Sequence, residues 1–361
     1  MSPRRILLTQ LRRIGDVLMT TAAVRQVSRA YPDARISYLT EPPSDQIFRH
    51  NPHVNEVLAV QSRAGSRMMA LATLRTRRFD LAVDFFSNPT SALLVRVSGA
   101  PMRIGFGFPG RSWAYTHTIA PPRGLTYAAA DKMSLLAPLG VPEQHGADLL
   151  PEVFLAPEHR RYAETALAGL GVQVQDLLVA LCPASRQPYK IWPARHFARL
   201  ADWMIERHRA RVLMISGPGE EGLVDAVRLE MRQRALPDLP ASSLLEMAAL
   251  LQRCHLFVGN DGGARHFAIA VGTPTVAVFG RPFPESWTPP GMAWHRTASY
   301  DPGCKNACTY PRCSHLNCIN LVPYDEVQAH TEALLADVLK DGVLKDGVLK
   351  DGRPARRGPV A

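Results

Sequence analysis

The chain lacks any hydrophobic run near the roughly eighteen uncharged residues that a membrane-spanning helix requires. Its start, Met1-Ser2-Pro3-Arg4-Arg5-Ile6-Leu7-Leu8, offers only three apolar residues in a row before polar Thr9 and Gln10, so it does not read as a secretory leader. A cytosolic protein with reduced thiols is therefore expected, and cysteine is sparse, with six in 361 residues. Lysine is absent from the first 120 residues, where sixteen arginines face seven acidic residues, an excess of nine out of a net +10 for the whole chain. That asymmetry has two readings. One is a generally arginine-rich composition. The other is a surface that meets a polyanion: nucleic acid, an anionic lipid headgroup or a phosphorylated glycan.

The remaining composition, 46% hydrophobic and 20% charged, is globular, and the length suggests two domains. Apolar Ile6-Leu7-Leu8, Ile36-Ser37-Tyr38-Leu39 and Leu81-Ala82-Val83-Asp84-Phe85 read as strands. Helical spacing runs from Val17 through Val27 to a stop at Pro32, and a basic helix is expected around 68–78. Proline- and glycine-rich stretches cover 101–124 and 138–157, with a linker expected near 155–175. The alternation then resumes: strands at 177–182, 211–216, 256–259 and 275–279, and helices at 192–208, 244–251 and 264–271. Two β-α-β units imply two parallel, doubly wound sheets of Rossmann-like type, with a ligand cleft expected between domains at 1–160 and 161–336. Three copies of Val-Leu-Lys-Asp-Gly span Val338–Gly352. A five-residue period matches neither helix nor strand, and 337–361 is expected to be a disordered tail.

The most informative segment is Gly259-Asn260-Asp261-Gly262-Gly263-Ala264-Arg265-His266, which ends a buried strand and opens a helix. Unpaired amides and the positive dipole end suit a diphosphate there. Asp261 is a candidate acceptor for sugar hydroxyls and His266 a candidate phosphate donor; alternatively, Asp261 is a helix cap and His266 a packed residue. Ser185, Arg186 and Lys190, in the loop after another strand, are donors able to neutralise a leaving pyrophosphate. Glu220, after Gly217-Pro218-Gly219, is a candidate for ribose hydroxyls or a solvent-facing glutamate. Asp16, in Arg12-Arg13-Ile14-Gly15-Asp16, lies where open α/β sheets place ligands, as a general base or simply an N-cap.

Four cysteines, Cys304, Cys308, Cys313 and Cys318, fall within fifteen residues, with His315 among them. Free thiols, a structural metal such as zinc, and disulfides all remain open for them, because the spacing is not that of paired Cys-x-x-Cys motifs.

Four pieces in order resemble the bacterial heptosyltransferases of glycosyltransferase family 9. They are Ile6-Leu7-Leu8 with Ile14-Gly15-Asp16-Val17, then Lys190-Ile191-Trp192-Pro193, then Gly217-Pro218-Gly219-Glu220, then Asn260-Asp261-Gly262-Gly263 with His266–Pro274. The resemblance implies two facing Rossmann-like domains of GT-B type and an inverting transfer that needs no metal. It implies an ADP-heptose donor and an anionic, lipid-linked lipopolysaccharide core acceptor at the cytoplasmic face of the inner membrane. By position it makes Asp16 the base, Lys190 the stabiliser of the departing diphosphate, and Ser185 and Arg186 phosphate contacts. Glu220 becomes the ribose contact, Asp261 the sugar contact, and His266 with the amides at Gly262, Gly263 and Ala264 the phosphate seat. The chain departs from the family pattern at Gly262, Ala264-Arg265 and Gly280-Arg281-Pro282, all near the donor. Other readings are a related transferase with another nucleotide sugar, and a basic nucleic-acid-binding protein with a zinc loop. The second lacks aromatic stacking platforms beside its basic residues, so no nucleic-acid partner is expected.

Overall fold

A computed structural model describes residues 2–61, 64–281, 283–304, 307–340, 343–344 and 348–349. The chain divides into two compact units, 1–154 and 155–361.

The first unit runs β1 (Arg5–Thr9), α1 (Ile14–Met19), α2 (Thr21–Ala30), β2 (Arg35–Thr40), β3 (Glu56–Ala59), α3 (Ala64–Thr76), β4 (Leu81–Asp84), α4 (Pro89–Val97), β5 (Met102–Phe106), β6 (His117–Ile119) and α5 (Ala128–Ser134). Its six strands are all parallel, in the order β3-β2-β1-β4-β5-β6. The central strands are buried on both faces, which is why they read as unbroken apolar runs. The single helix expected from Val17 to Val27 is two. The Thr20 and Thr21 hydroxyls bond back to the Val17 and Leu18 carbonyls at 2.7 Å each, and such back-bonding bends a helix.

The second unit begins with α6 (Pro157–Gly169), where a linker was expected. It continues with β7 (Leu178–Cys182), α7 (Ala194–His208), β8 (Arg211–Met214), α8 (Glu221–Glu230), α9 (Leu244–Arg253), β9 (Leu256–Asn260), α10 (Gly263–Ala270), β10 (Thr275–Phe279), β11 (His295–Ser299), α11 (Asn317–Asn320) and α12 (Tyr324–Lys340). Five parallel strands follow the order β11-β10-β9-β7-β8. The expected pair of Rossmann-like α/β sheets is thus the observed fold. Helix α12 covers the first residues of the pentapeptide repeat, and Val343–Leu344 pairs antiparallel with Val348–Leu349. The rest of the expected tail lies outside the described residues.

Each sheet has one point where the strand order reverses, β1/β4 in the first unit and β7/β9 in the second. Helices leave on opposite faces there, opening a crevice at the carboxyl ends of the strands. Packing is close at the second reversal. A Cβ on Gly259 would lie 2.6 Å from the Cys182 carbonyl oxygen and 2.8 Å from its Cβ, so only glycine lets β9 sit against β7. Gly262 is different: its backbone is extended (φ −173°) and the nearest atom to an added Cβ is 4.0 Å away. Gly259→Ala is accordingly expected to cost about 1–3 kcal/mol in urea unfolding, and Gly262→Ala to stay within about 0.5 kcal/mol. Equal effects would refute this division of labour.

Candidate active site

The second unit gathers a polar cluster at the β7/β9 reversal. Asn260, the last residue of β9, is buried. Its side-chain oxygen accepts the Trp192 amide at 3.1 Å and its Nδ2 donates to the Pro183 carbonyl at 2.7 Å. One side chain therefore fixes both ends of the loop that leaves β7. Trp192 anchors the far end, fully buried, with its indole N–H on the Val322 carbonyl at 3.1 Å. Lys190, between these anchors, forms an ion pair with Oδ2 of Asp261. Asp261 is only 2% exposed, so its charge is taken out of water and needs this partner.

Asp261 is not the helix cap, and its Oδ1 has no hydrogen-bond partner among the described residues. The N-cap of α10 is Gly262, which has no capping side chain, and Gly263, Ala264 and Arg265 form the first turn. His266 lies inside α10 with Nε2 4.0 Å from Oδ1 of Asp261 and its ring 5.7 Å from that of Trp287. Burial pushes its pKa down to about 4, against the opposing pull of Asp261, so it is neutral near pH 7. Arg265, one of the departures from the family pattern, is buried. It donates to the Trp287 carbonyl at 3.1 Å and to the Thr288 hydroxyl at 2.9 Å. That substitution is therefore spent on packing the 287–288 turn.

Ser185 is half-buried in the loop from β7, while Arg186 is exposed. Glu220 closes its own turn: Oε2 accepts the Gly217 amide at 2.9 Å. The structure brings Lys190, Asp261 and His266 together and places Ser185 and Arg186 on the same loop as Lys190. Glu220 lies on the separate turn after β8.

The first unit carries a second polar cluster at the β1/β4 reversal. Asp16 is the third residue of α1, whose N-cap is Arg13, so Asp16 is not the cap. Asp84, at the end of β4, has no exposed surface; its carboxylate accepts from the Phe86 and Ser87 amides and, at 2.8 Å, from the Tyr115 hydroxyl. Burial nevertheless raises its pKa. Lys132 of α5 donates to Oε1 of Gln10 at 3.2 Å and to the Phe85 carbonyl at 2.6 Å. Neither Asn260 nor Lys132 stood out as a functional residue in the sequence. The available signals were a polar residue ending an apolar strand and the first lysine of the chain.

The arginine excess of this unit is partly structural. Arg25 meets Glu152 at 2.5 Å, Arg77 meets Glu56 at 2.5 Å, Arg49 meets Asp45 at 2.9 Å, and Arg103 donates to the Ala114 carbonyl at 2.8 Å. Arg13, Arg75, Arg78 and Arg96 are exposed. No helix among the described residues is long and apolar enough to cross a membrane.

Cys304, Cys308, Cys313 and Cys318 are half-buried and free. The Cys318 sulfur accepts the Arg281 amide, but burial and the other three thiols raise its pKa overall. Thiolates suit zinc or iron. Among the described residues, however, no three of these sulfurs and the His315 ring lie within 4.8 Å of one another.

Two parallel doubly wound units, with a lysine–aspartate pair beside a helix N-terminus at one strand reversal, form an architecture suited to binding a phosphorylated ligand at that reversal. The profile of glycosyltransferase family 9 (heptosyltransferase) matches residues 68–309, and the chain belongs to that family. Lipopolysaccharide heptosyltransferase 3 of Escherichia coli K12 is 26% identical over 347 residues, covering 90% of this chain and 96% of that protein. A family 9 glycosyl transferase from Veillonella parvula superposes with a TM-score of 0.80 at 23% identity, covering 92% of this chain and 97% of that one. E. coli ADP-heptose lps heptosyltransferase II gives 0.76 at 21%, covering 92% and 99%. The protein is a glycosyltransferase.

The buried histidines make stability depend on pH. His266 and His295 have folded-state pKa values of about 4 and about 3, both lowered chiefly by burial from 6.5. Below 6.5 the unfolded chain takes up protons that the folded protein refuses. Their contribution is whole above that value and is lost as pH falls toward 4 and then 3. Urea unfolding of His266→Gln is expected to fall less steeply than wild type between pH 6.5 and 4.5. An unchanged slope would contradict the assignment.

Proposed function

We propose that this glycosyltransferase moves a heptose from ADP-heptose to a lipopolysaccharide core acceptor with inversion at the anomeric carbon. Both substrates are inferred from what the relatives are named for: lipopolysaccharide heptosyltransferase and ADP-heptose heptosyltransferase. The observation that carries the reading is the Lys190–Asp261 pair at the β7/β9 reversal, beside the uncapped amides of α10. The ammonium and these amides supply positive charge where a departing diphosphate gains negative charge, so the step requires no metal on this reading. Asp261 holds the lysine in place before the donor arrives and remains beside it in the occupied site. Ser185 and Arg186 add phosphate donors, and Glu220 presents its second carboxylate oxygen toward ribose hydroxyls.

Asp16 takes the acceptor hydroxyl proton as that oxygen attacks the anomeric carbon and the bond to the diphosphate breaks. The acceptor on this reading is anionic and lipid-linked, met at the cytoplasmic face of the inner membrane, and the exposed arginines of the first unit suit it. The cysteine loop takes no part in the transfer.

Asp16→Asn is expected to lower kcat by about 100-fold or more while leaving ADP binding by calorimetry unchanged. Full transfer by this variant would sink the base assignment. In a thermal-shift comparison of ADP, UDP and GDP with their sugars, selective stabilisation by ADP and ADP-heptose is expected. Stabilisation by none of them would overturn the reading.

A further inference from the structure

The chain contains only six lysines, Lys132, Lys190, Lys305, Lys340, Lys345 and Lys350, in a sequence otherwise rich in arginine. Four belong to the cysteine loop or to the pentapeptide repeats. The remaining two, Lys132 and Lys190, each stand at the strand reversal of one sheet, and Lys132 is the sole lysine of the first unit. A sequence that elsewhere uses arginine has kept the compact, three-donor ammonium at these two points.

Lys132 is held on two sides. Gln10 lies just beyond β1, and its Oε1 accepts from the ammonium at 3.2 Å; Phe85 lies just beyond β4, and its carbonyl accepts at 2.6 Å. Both acceptors are neutral oxygens. They use two of the three donor hydrogens and leave the third for a charged partner. Helix α5 packs against α1, which carries Asp16. Burial lowers the pKa of Lys132, and the carboxylates of Asp16, of Asp84 at the end of β4 and of its own neighbour Asp131 oppose that shift, Asp16 most of the three. Asp84 already accepts the Phe86 and Ser87 amides and the Tyr115 hydroxyl, and the Thr126 hydroxyl bonds to Asp131. Arg13, the N-cap of α1, is exposed, while other charges around the helix are paired. Asp45, in the turn packed against α1, meets Arg49 at 2.9 Å, and Arg12 meets Glu41 at 3.6 Å. On α2, Arg25 meets Glu152 and Arg29 meets Asp148.

We propose that Lys132 is the positioning residue of the Asp16 base: tethered across the ends of β1 and β4, its ammonium keeps the Asp16 carboxylate charged and in place. The inference rests on the reading of Asp16 as base and adds a residue to it. An ammonium beside a carboxylate favours its ionised form. Removing the ammonium therefore moves Asp16 ionisation to higher pH, and with it the acid limb of the rate.

The test has two independent readouts on the full-length protein. In 13C NMR of aspartate-labelled protein, with the Asp16 carboxyl signal identified by its loss in Asp16→Asn, Lys132→Met is expected to raise the titration midpoint by about one unit or more. Lys132→Arg, which keeps the charge, is expected to leave it near wild type. Lys132→Gln gives the same test should the methionine variant not fold. In parallel, the acid limb of kcat/KM for heptosyl transfer shifts upward in the neutral variants and not in Lys132→Arg. An Asp16 midpoint unchanged by neutral substitution overturns the proposal. So does a neutral variant that only lowers Tm, or only raises the acceptor KM, without moving the limb. Transfer retained in Asp16→Asn defeats the base reading instead, and the NMR midpoint still reports whether Lys132 and Asp16 are coupled.

Discussion

The polar cluster at the β7/β9 reversal depends on one buried amide side chain. Asn260 ends β9 and ties down both ends of the neighbouring loop, accepting from Trp192 and donating to Pro183. Without those two hydrogen bonds the segment carrying Lys190 would be an eleven-residue connection, 183–193, untied at either end. With them, Lys190 is held against Asp261, the next residue in sequence after Asn260. The close β7–β9 approach that only Gly259 permits puts Asn260 within reach. Three consecutive residues, Gly259, Asn260 and Asp261, thus have three separate tasks: sheet packing, loop fixation and charge pairing.

The first unit repeats the logic with different residues. Its strand reversal carries a fully buried aspartate, Asp84, held by two amides and a tyrosine. The Tyr115 ring occupies space that only a glycine at 105 leaves open, since a Cβ there would lie 2.4 Å from the ring. Buried charge is costly unless satisfied: three hydrogen bonds hold Asp84, whereas Asp261 relies on Lys190 at Oδ2 and its Oδ1 has no hydrogen-bond partner among the described residues. The two reversals are also the places where the backbone of an open parallel sheet leaves room for a ligand.

Much of this was legible in the sequence because strands buried on both faces leave unbroken apolar runs, as in Leu178–Cys182 and Thr275–Phe279. One strand that escaped notice, β5, is interior and lies in the stretch 101–124 read as proline- and glycine-rich, while the others are sheet edges. β3 is half-exposed, β11 is the polar run His295-Arg296-Thr297-Ala298-Ser299, and β6 has only three residues. Helix α6 was hidden because only Ala163 and Leu167 on it are buried. Candidate site residues were legible where they belong to a contiguous motif, as Asp261 and His266 do. Lys132 could not be found that way. It reaches Gln10 across 122 positions of sequence, and only the sheet order brings them together.

The central claim is that the diphosphate of the donor sits at the β7/β9 reversal of the second unit, between Lys190 and the start of α10. A crystal structure with ADP bound tests it most directly. The account predicts phosphate oxygens within hydrogen-bond distance of Lys190 Nζ and of a main-chain amide at Gly263 or Ala264. ADP whose phosphates touch neither group would contradict it.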